Sequence, residues 1–356
     1  MVSKTPSRPL RIVSIGGGNG LSTLLRGLKR YVRATEGQLD ITAIVTVTDD
    51  GGSSGRLRRE FDVLPPGDIR NCMVALSEDE TLLSRLFQFR FSNGRGLKGH
   101  SFGNLFLTAM THLTGDFGQA VKLSSEVLAV LGRIYPSTAA NVVLEATLVN
   151  GAKVAGETRI SRSRSRIARV QLHPRRPKPL PEAIEAIARA DLITIGPGSL
   201  YTSVIPNLLV DGIPRAIAAS PGLKAYFVNL MSQPGETDHF RASDHVAALL
   251  RHAGRAHSRS LIDVCVINTR PVGGKVVDRY RARDARPVEN DVENLERMGV
   301  RVIGADLLRM QGTSGVKPPQ DQDNPQAKIR HDQSVLGAIA LELAQQGLRS
   351  KLKLTS

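Results

Sequence analysis

The run Gly16-Gly17-Gly18-Asn19-Gly20 follows a short apolar segment and precedes Leu21, Leu24, Leu25 and Leu28 at helical spacing. A glycine loop between a strand and a helix turns its backbone N–H groups and the positive helix end toward any anion placed there, and glycine permits that close approach. The segment Ile41 to Val47 supplies a second β-branched strand, apolar on both faces as a helix-covered sheet requires. Two such strands with a helix between them form a right-handed βαβ unit. The expected fold class is therefore α/β, a Rossmann-like doubly wound sheet.

Helical patterns follow at Asp68 to Leu76, Thr81 to Phe89, Gly103 to Leu113 and Gln119 to Leu131. Val142 to Val149 and Ile167 to Leu172 alternate instead, which predicts a small antiparallel β insertion. Short buried-strand patterns resume at Leu192 to Ile195, Ala225 to Asn229, Ile262 to Ile267 and Val300 to Ile303. No internal repeat or linker interrupts the pattern. A single domain over residues 10–345 is expected, with basic, flexible tails at 1–9 and 346–356. The segment 311–326, rich in Gly, Pro, Gln and Asp, reads as loop or disorder.

The net charge of +15 raises the question of a polyanionic partner. Much of the excess lies in the tails and in the run Arg159 to Lys178, which reads as a solvated loop or flexible insertion. Aromatic residues make up only 4% of the chain and Trp is absent, so no stacking surface for single-stranded nucleic acid is expected. No apolar stretch approaches the roughly 20 residues that span a bilayer, and no signal-peptide core follows the N-terminus. A cytoplasmic protein without a membrane span is expected. Cys72 and Cys265, far apart in sequence, suggest neither a disulfide framework nor a zinc site.

Polar turns recur after the strands. Asp49-Asp50-Gly51-Gly52-Ser53-Ser54 follows the second strand, at the sheet edge where open α/β proteins bind ligands. Its two acids suit a ribose or a Mg²⁺ ion, and Ser53 and Ser54 suit phosphate oxygens. In Pro65-Pro66-Gly67-Asp68-Ile69-Arg70-Asn71, Asp68 can cap a helix, while Arg70 and Asn71 suit phosphate or sugar hydroxyls. His100 opens the turn leading to Asn104 and reads either as a general acid–base group or as a structural partner of a serine. Gly196, Gly198, Ser199 and Thr202 form a second strand–loop–helix anion site, and Gln233 to Thr237 adds a fourth loop to the same rim. Asp49 lies about thirty residues beyond the first loop, too far for the usual ribose acid of a dinucleotide fold, and no Walker lysine follows the glycines.

Taken together, I-G-G-G-N-G-L-S-T-L-L, T-D-D-G-G-S-S-G-R, L-P-P-G-D-I-R-N-C, G-H-S-F-G-N-L, G-P-G-S-L-Y-T-S-V-I-P-N-L-L, N-L-M-S-Q-P-G-E-T-D and I-R-H-D resemble the YvcK/CofD family, more closely its YvcK branch of gluconeogenesis factors. The resemblance implies a Rossmann-like fold and a UDP-sugar ligand, UDP-N-acetylglucosamine, in a cytosolic protein that supports cell shape and wall growth on gluconeogenic carbon. It implies no required cofactor and no established reaction. The CofD branch differs: it is a Mg²⁺-dependent 2-phospholactate transferase acting on a nucleotide-activated substrate, and it keeps an enzymatic alternative open, with Asp49 and Asp50 as the metal candidates. The resemblance also places Asn207 after the second loop as a polar ligand contact and Arg330 as a charge partner for the diphosphate. Asn19 stands where the family usually has Thr. A homodimer, a regulatory kinase and cell-wall proteins are the partners this resemblance leaves room for.

Overall fold

The computed structural model describes residues 8–35, 38–78, 82–254, 256–257, 260–273, 275–309 and 329–355. Strands β1 (Leu10–Gly16), β2 (Leu39–Val45) and β3 (Arg133–Pro136) lie side by side and parallel. The strands β4 (Val143–Leu148), β5 (Lys153–Ala155) and β6 (Ile167–His173) form a separate antiparallel sheet. After it, β7 (Leu192–Ile195), β8 (Leu223–Phe227), β9 (Val264–Asn268) and β10 (Arg301–Ala305) return to the main sheet. Its order is β10-β9-β8-β7-β1-β2-β3.

That order positions the site. The chain builds outward from β1 through β2 to β3, then returns to β7 on the other side of β1 and builds outward to β10. The reversal lies between β1 and β7, the crevice where doubly wound sheets bind ligands.

Helices cover both faces. In chain order they are α1 (Gly18–Ala34), α2 (Gly52–Phe61), α3 (Gly67–Leu76), α4 (Leu82–Gln88), α5 (Phe102–Thr114), α6 (Phe117–Val127) and α7 (Glu157–Arg162). There follow α8 (Pro181–Arg189), α9 (Ile205–Leu208), α10 (Ile213–Ala219), α11 (Ala242–Ala253), α12 (Lys275–Arg281), α13 (Val292–Arg297) and α14 (Gln333–Thr355). A π-helical turn, Leu200–Val204, runs into α9. α1 buries Leu21, Leu24, Leu25 and Leu28 against the apolar strands, as their spacing predicts. Its outer side meets α14 at two glycines: a methyl group on Gly27 would lie 1.9 Å from the Gln333 carbonyl oxygen.

The insertion sheet alternates as expected, with Leu144, Ala146 and Leu148 buried between more exposed neighbours on β4. The basic run differs from the expectation of a loose loop, because α7 and β6 order much of it and bury Ile160, Ile167, Val170 and Leu172. Apolar residues interleaved among the arginines supply the buried face. Residues 346–355 continue α14 rather than forming a loose tail, and Lys351 bonds the Ala190 carbonyl and Asp191. Residues 1–7 and the segment 311–326 lie outside the described residues. Among the described residues no helix is long and apolar enough to cross a membrane. Cys72 and Cys265 are buried free thiols.

Candidate functional site

The two glycine loops meet at the crevice between β1 and β7. A methyl group on Gly20 would sit 2.3 Å from the Pro197 carbonyl oxygen and 2.8 Å from the Gly198 nitrogen. Gly18, at φ 61°, turns the chain from β1 into α1 through a conformation that disfavours a side chain. Gly17 and Gly51 are the N-cap residues of α1 and α2, and no side chain caps either helix. Apart from the Gly18 N–H, which Asp68 takes, the first-turn amides of both helices have no side-chain cap and are open to an outside acceptor.

Asn207 supports the first loop from beneath. It is fully buried, and its Nδ2 donates to the carbonyls of Ser203 (2.9 Å), Gly16 (3.3 Å) and Val204 (3.3 Å). Thr202 is buried as well, and its carbonyl accepts from Thr48 Oγ1 at 3.3 Å. Both residues shape the loops rather than form their open surface.

Acids gather behind the loops. Asp68 accepts the Gly18 N–H, and burial together with the neighbouring Asp49 raises its carboxyl to about 7. Asp49 Oδ1 accepts from Gly51 N at 2.9 Å, and its Oδ2 faces Gly67, where a methyl group would lie 2.6 Å away. Asp50 turns toward the insertion, where Oδ1 accepts from Thr158 N (2.8 Å) and Thr158 Oγ1 (2.6 Å). Glu157, also from α7, is raised well above the ordinary carboxyl value, by burial first and then by Asp68 and Asp49. Among the described residues no group of three or more His, Cys, Asp or Glu side chains converges closely enough to hold a metal ion. Mg²⁺ at Asp49 would need ligand oxygens and water to complete its shell.

A polar network extends the site under α2, α3 and α5. Ser53 Oγ pairs with His100 Nδ1 at 3.0 Å, and Asn104 Nδ2 donates to Ser54 Oγ at 3.3 Å. Arg70 donates to Ser101 Oγ at 2.5 Å and to Asn71 Oδ1 at 2.6 Å. His100 is buried, and burial followed by the charge of Arg56 lowers its pKa, which favours the neutral ring as a serine partner.

A cleft of about 490 Å³ opens beside the loops, with Gly20, Gly198 and Ser199 on one wall and the loop from Asn229 to Glu236 on the other. Ser161 of the insertion, Tyr280, Arg283 and His331 close it. Its volume falls in the usual range for a small-molecule site. Glu236 is 2% exposed and accepts from Ser161 Oγ at 3.1 Å; burial raises its carboxyl to about 7. His331 lies against the Val228 carbonyl at 3.2 Å, and burial lowers its pKa to about 4.

The sequence-predicted residues thus divide. Gly16 to Gly20, Gly196, Gly198, Ser199, Asp49 and Asp68 come together around the crevice. Ser53, Ser54, Arg70, Asn71, His100 and Asn104 form the adjoining network. Asn19 is exposed on the first turn of α1. Arg330 is exposed beside Arg309, whose N–H it accepts at 3.0 Å, and it does not line the cleft, although Ile329 and His331 do. Sequence reasoning placed Gln233 and Glu236 on the rim without assigning them a role. It did not find Ser161, Glu157, Tyr280, Arg283 or His331, because their approach depends on how the insertion and the C-terminal segments fold back.

Residues 12–308 match the family model described as 2-phospho-L-lactate transferase CofD. The chain is 46% identical to the gluconeogenesis factor of Bacillus subtilis, over 94% of its own length and 98% of that protein. It is 50% identical to a Nostoc sp. relative over 86% of its length, and spans 65% of that longer protein. A crystal structure of a Bacillus halodurans protein superimposes with a TM-score of 0.84 at 45% identity, covering 94% of this chain and 100% of the other. With a sheet that reverses at its glycine loops and relatives matched over nearly its whole length, the chain belongs to the CofD family, beside the bacterial proteins named gluconeogenesis factor.

Proposed function

We propose that this protein binds a nucleotide diphosphate-sugar of the UDP-N-acetylglucosamine class and acts as a cytoplasmic regulatory protein, linking wall-precursor supply to cell shape and growth on gluconeogenic carbon. The observation that carries the binding half is the contact of Gly20 with Pro197 and Gly198, which joins two helix-opening loops into one crevice at the sheet reversal. Such a crevice offers two sets of uncapped amides to one diphosphate. Each hydrogen bond to a charged phosphate contributes roughly 1.5 to 3 kcal/mol, so a few reach the roughly 8 kcal/mol of micromolar binding. The link to gluconeogenic carbon takes its support from the relatives' name, gluconeogenesis factor, and the link to cell shape and wall supply from the family resemblance alone.

A second reading has its own support. Asp49 and Asp68 stand directly behind the phosphate loop, and acids there repel a diphosphate unless protons or a divalent cation offset them. With the family description of a transferase, this favours Mg²⁺-assisted group transfer from a nucleotide diphosphate donor as the alternative.

Thermal melts with UDP-N-acetylglucosamine, GDP, NAD and duplex DNA, each with and without Mg²⁺, separate these readings. The first reading expects UDP-N-acetylglucosamine to stabilise the protein most, by about 2.7 kcal/mol at a hundred times Kd. Mg²⁺-dependent release of a nucleotide product selects the transferase. Stabilisation by DNA alone, lost in salt, contradicts both.

A further inference from the structure

The cleft beside the glycine loops is unlike them chemically. The loops present N–H donors, whereas the far wall presents acceptors. Gln233 keeps Oε1 buried with no hydrogen-bond partner, and Glu236, whose carboxyl also meets the Tyr201 N–H, keeps Oε2 buried and unpaired. Both residues line the cleft, together with Ser161 and Ser199, which occupy their other polar atoms: Gln233 Nε2 donates to Ser199 Oγ at 2.7 Å, and Ser161 Oγ donates to Glu236 Oε1 at 3.1 Å. The loop is held in this position by the insertion, since a methyl group on Gly235 would lie 1.7 Å from the Ser163 carbonyl oxygen. A buried acceptor without a donor is costly, and two at one cleft wall call for a ligand that brings donors.

Resting on the nucleotide-sugar reading, we infer that the wall formed by Gln233 and Glu236 is the sugar subsite, which recognises the hydroxyl and amide N–H donors of the hexose while the diphosphate stays on the glycine loops. The chemistry favours one direction for the ligand. A phosphate brings only acceptors and would face Glu236 unfavourably; the uridine end brings its base N–H and two ribose hydroxyls, and the hexose end three hydroxyls and an amide N–H. The sugar end carries several donors and is neutral, so it matches a wall of unpaired oxygens. Recognition through buried polar groups of this kind discriminates strongly against a ligand lacking the matching donor.

The test is the ratio of affinities for UDP-N-acetylglucosamine and UDP, measured by titration calorimetry on the wild-type protein and on Glu236→Met and Gln233→Met, which preserve side-chain length. The wild type is expected to favour the sugar nucleotide by about tenfold or more, equal to about 1.4 kcal/mol. Each variant should bring the ratio toward one, with the sugar nucleotide losing more affinity than UDP; Gln233→Met also frees Ser199 of the second glycine loop, so its UDP affinity is read beside the ratio. Should Glu236→Met fail to fold, Gln233→Met at its less buried position decides the matter. A ratio unchanged in a folded variant overturns the subsite, as does a wild-type ratio of one, and both leave the nucleotide-sugar reading standing. Failure of the wild type to bind either compound removes that reading and the subsite with it.

Discussion

Asn207 Nδ2 lies 3.3 Å from the Gly16 carbonyl oxygen and 2.9 Å from that of Ser203, so one amide ties the end of β1 to the π-helical turn after β7. The residue is fully buried, and these bonds join the two halves of the sheet where they diverge. Asn207→Leu should destabilise the fold by about 1 to 3 kcal/mol, because buried carbonyls lose a donor. Ligand affinity should fall with it. A denaturant titration showing no loss would mean the tie is dispensable.

The contact between Gly20 and Pro197 leaves no room for a side chain. Gly20→Ala places a methyl group against a backbone carbonyl that has no soft torsion to yield. Ligand binding should weaken by about tenfold or more through displacement of the loops, with a stability loss of roughly 1 to 3 kcal/mol. Calorimetry and a melt on the same sample check both. Unchanged affinity would separate the loop contact from the ligand.

Glu236 makes stability depend on pH. Its folded value of about 7 lies above the ordinary 4.5, so between these limits the folded state holds more protons than the unfolded state. Its stabilising contribution is therefore complete below pH 4.5 and lost as pH rises through 7. Glu236→Gln should flatten that slope and make the protein more stable at pH 8, by up to about 3 kcal/mol. Melts from pH 5 to 8 test this, and parallel curves for the two proteins would refute it.

Asp191 works in the opposite direction, at the N-terminal ends of the central strands β1 and β7. It is fully buried and accepts from Arg8 at 2.7 and 2.8 Å, from Arg11 N at 2.9 Å and from Lys351 at 3.1 Å. Despite its burial, these donors lower its pKa, so its stabilising contribution is present above the ordinary aspartate range and lost as pH falls through the depressed folded value. Asp191→Ala removes the acceptor shared by the part-buried Arg8 and Lys351 and by the Arg11 N–H, and should cost about 1 to 3 kcal/mol at neutral pH. A melting temperature within a degree of wild type would rule out this anchor.

The sequence was most legible where backbone geometry dictates residue type. Glycines at strand ends, β-branched strands and the leucine spacing of α1 led to the doubly wound sheet and to the crevice between Gly16–Gly20 and Gly196–Gly198. It was less legible where function depends on long-range folding. Asp50 follows Asp49 directly, yet its carboxylate is held by Thr158 of the insertion, which local spacing cannot reveal. Asn207 reads as a polar ligand contact from its motif, but its burial is set by packing around α9. The arginine run looked solvated because charge dominates its composition; the apolar residues between the arginines place α7 against the site, with Ser161 in the cleft.

The most direct measurement is a crystal structure of the protein with UDP-N-acetylglucosamine at saturating concentration. The diphosphate is expected within hydrogen-bond reach of the backbone nitrogens of Asn19, Gly20, Gly198 and Ser199, with the sugar against Gln233 and Glu236. A ligand bound elsewhere, or a crevice still empty of it at saturation, would contradict the central claim.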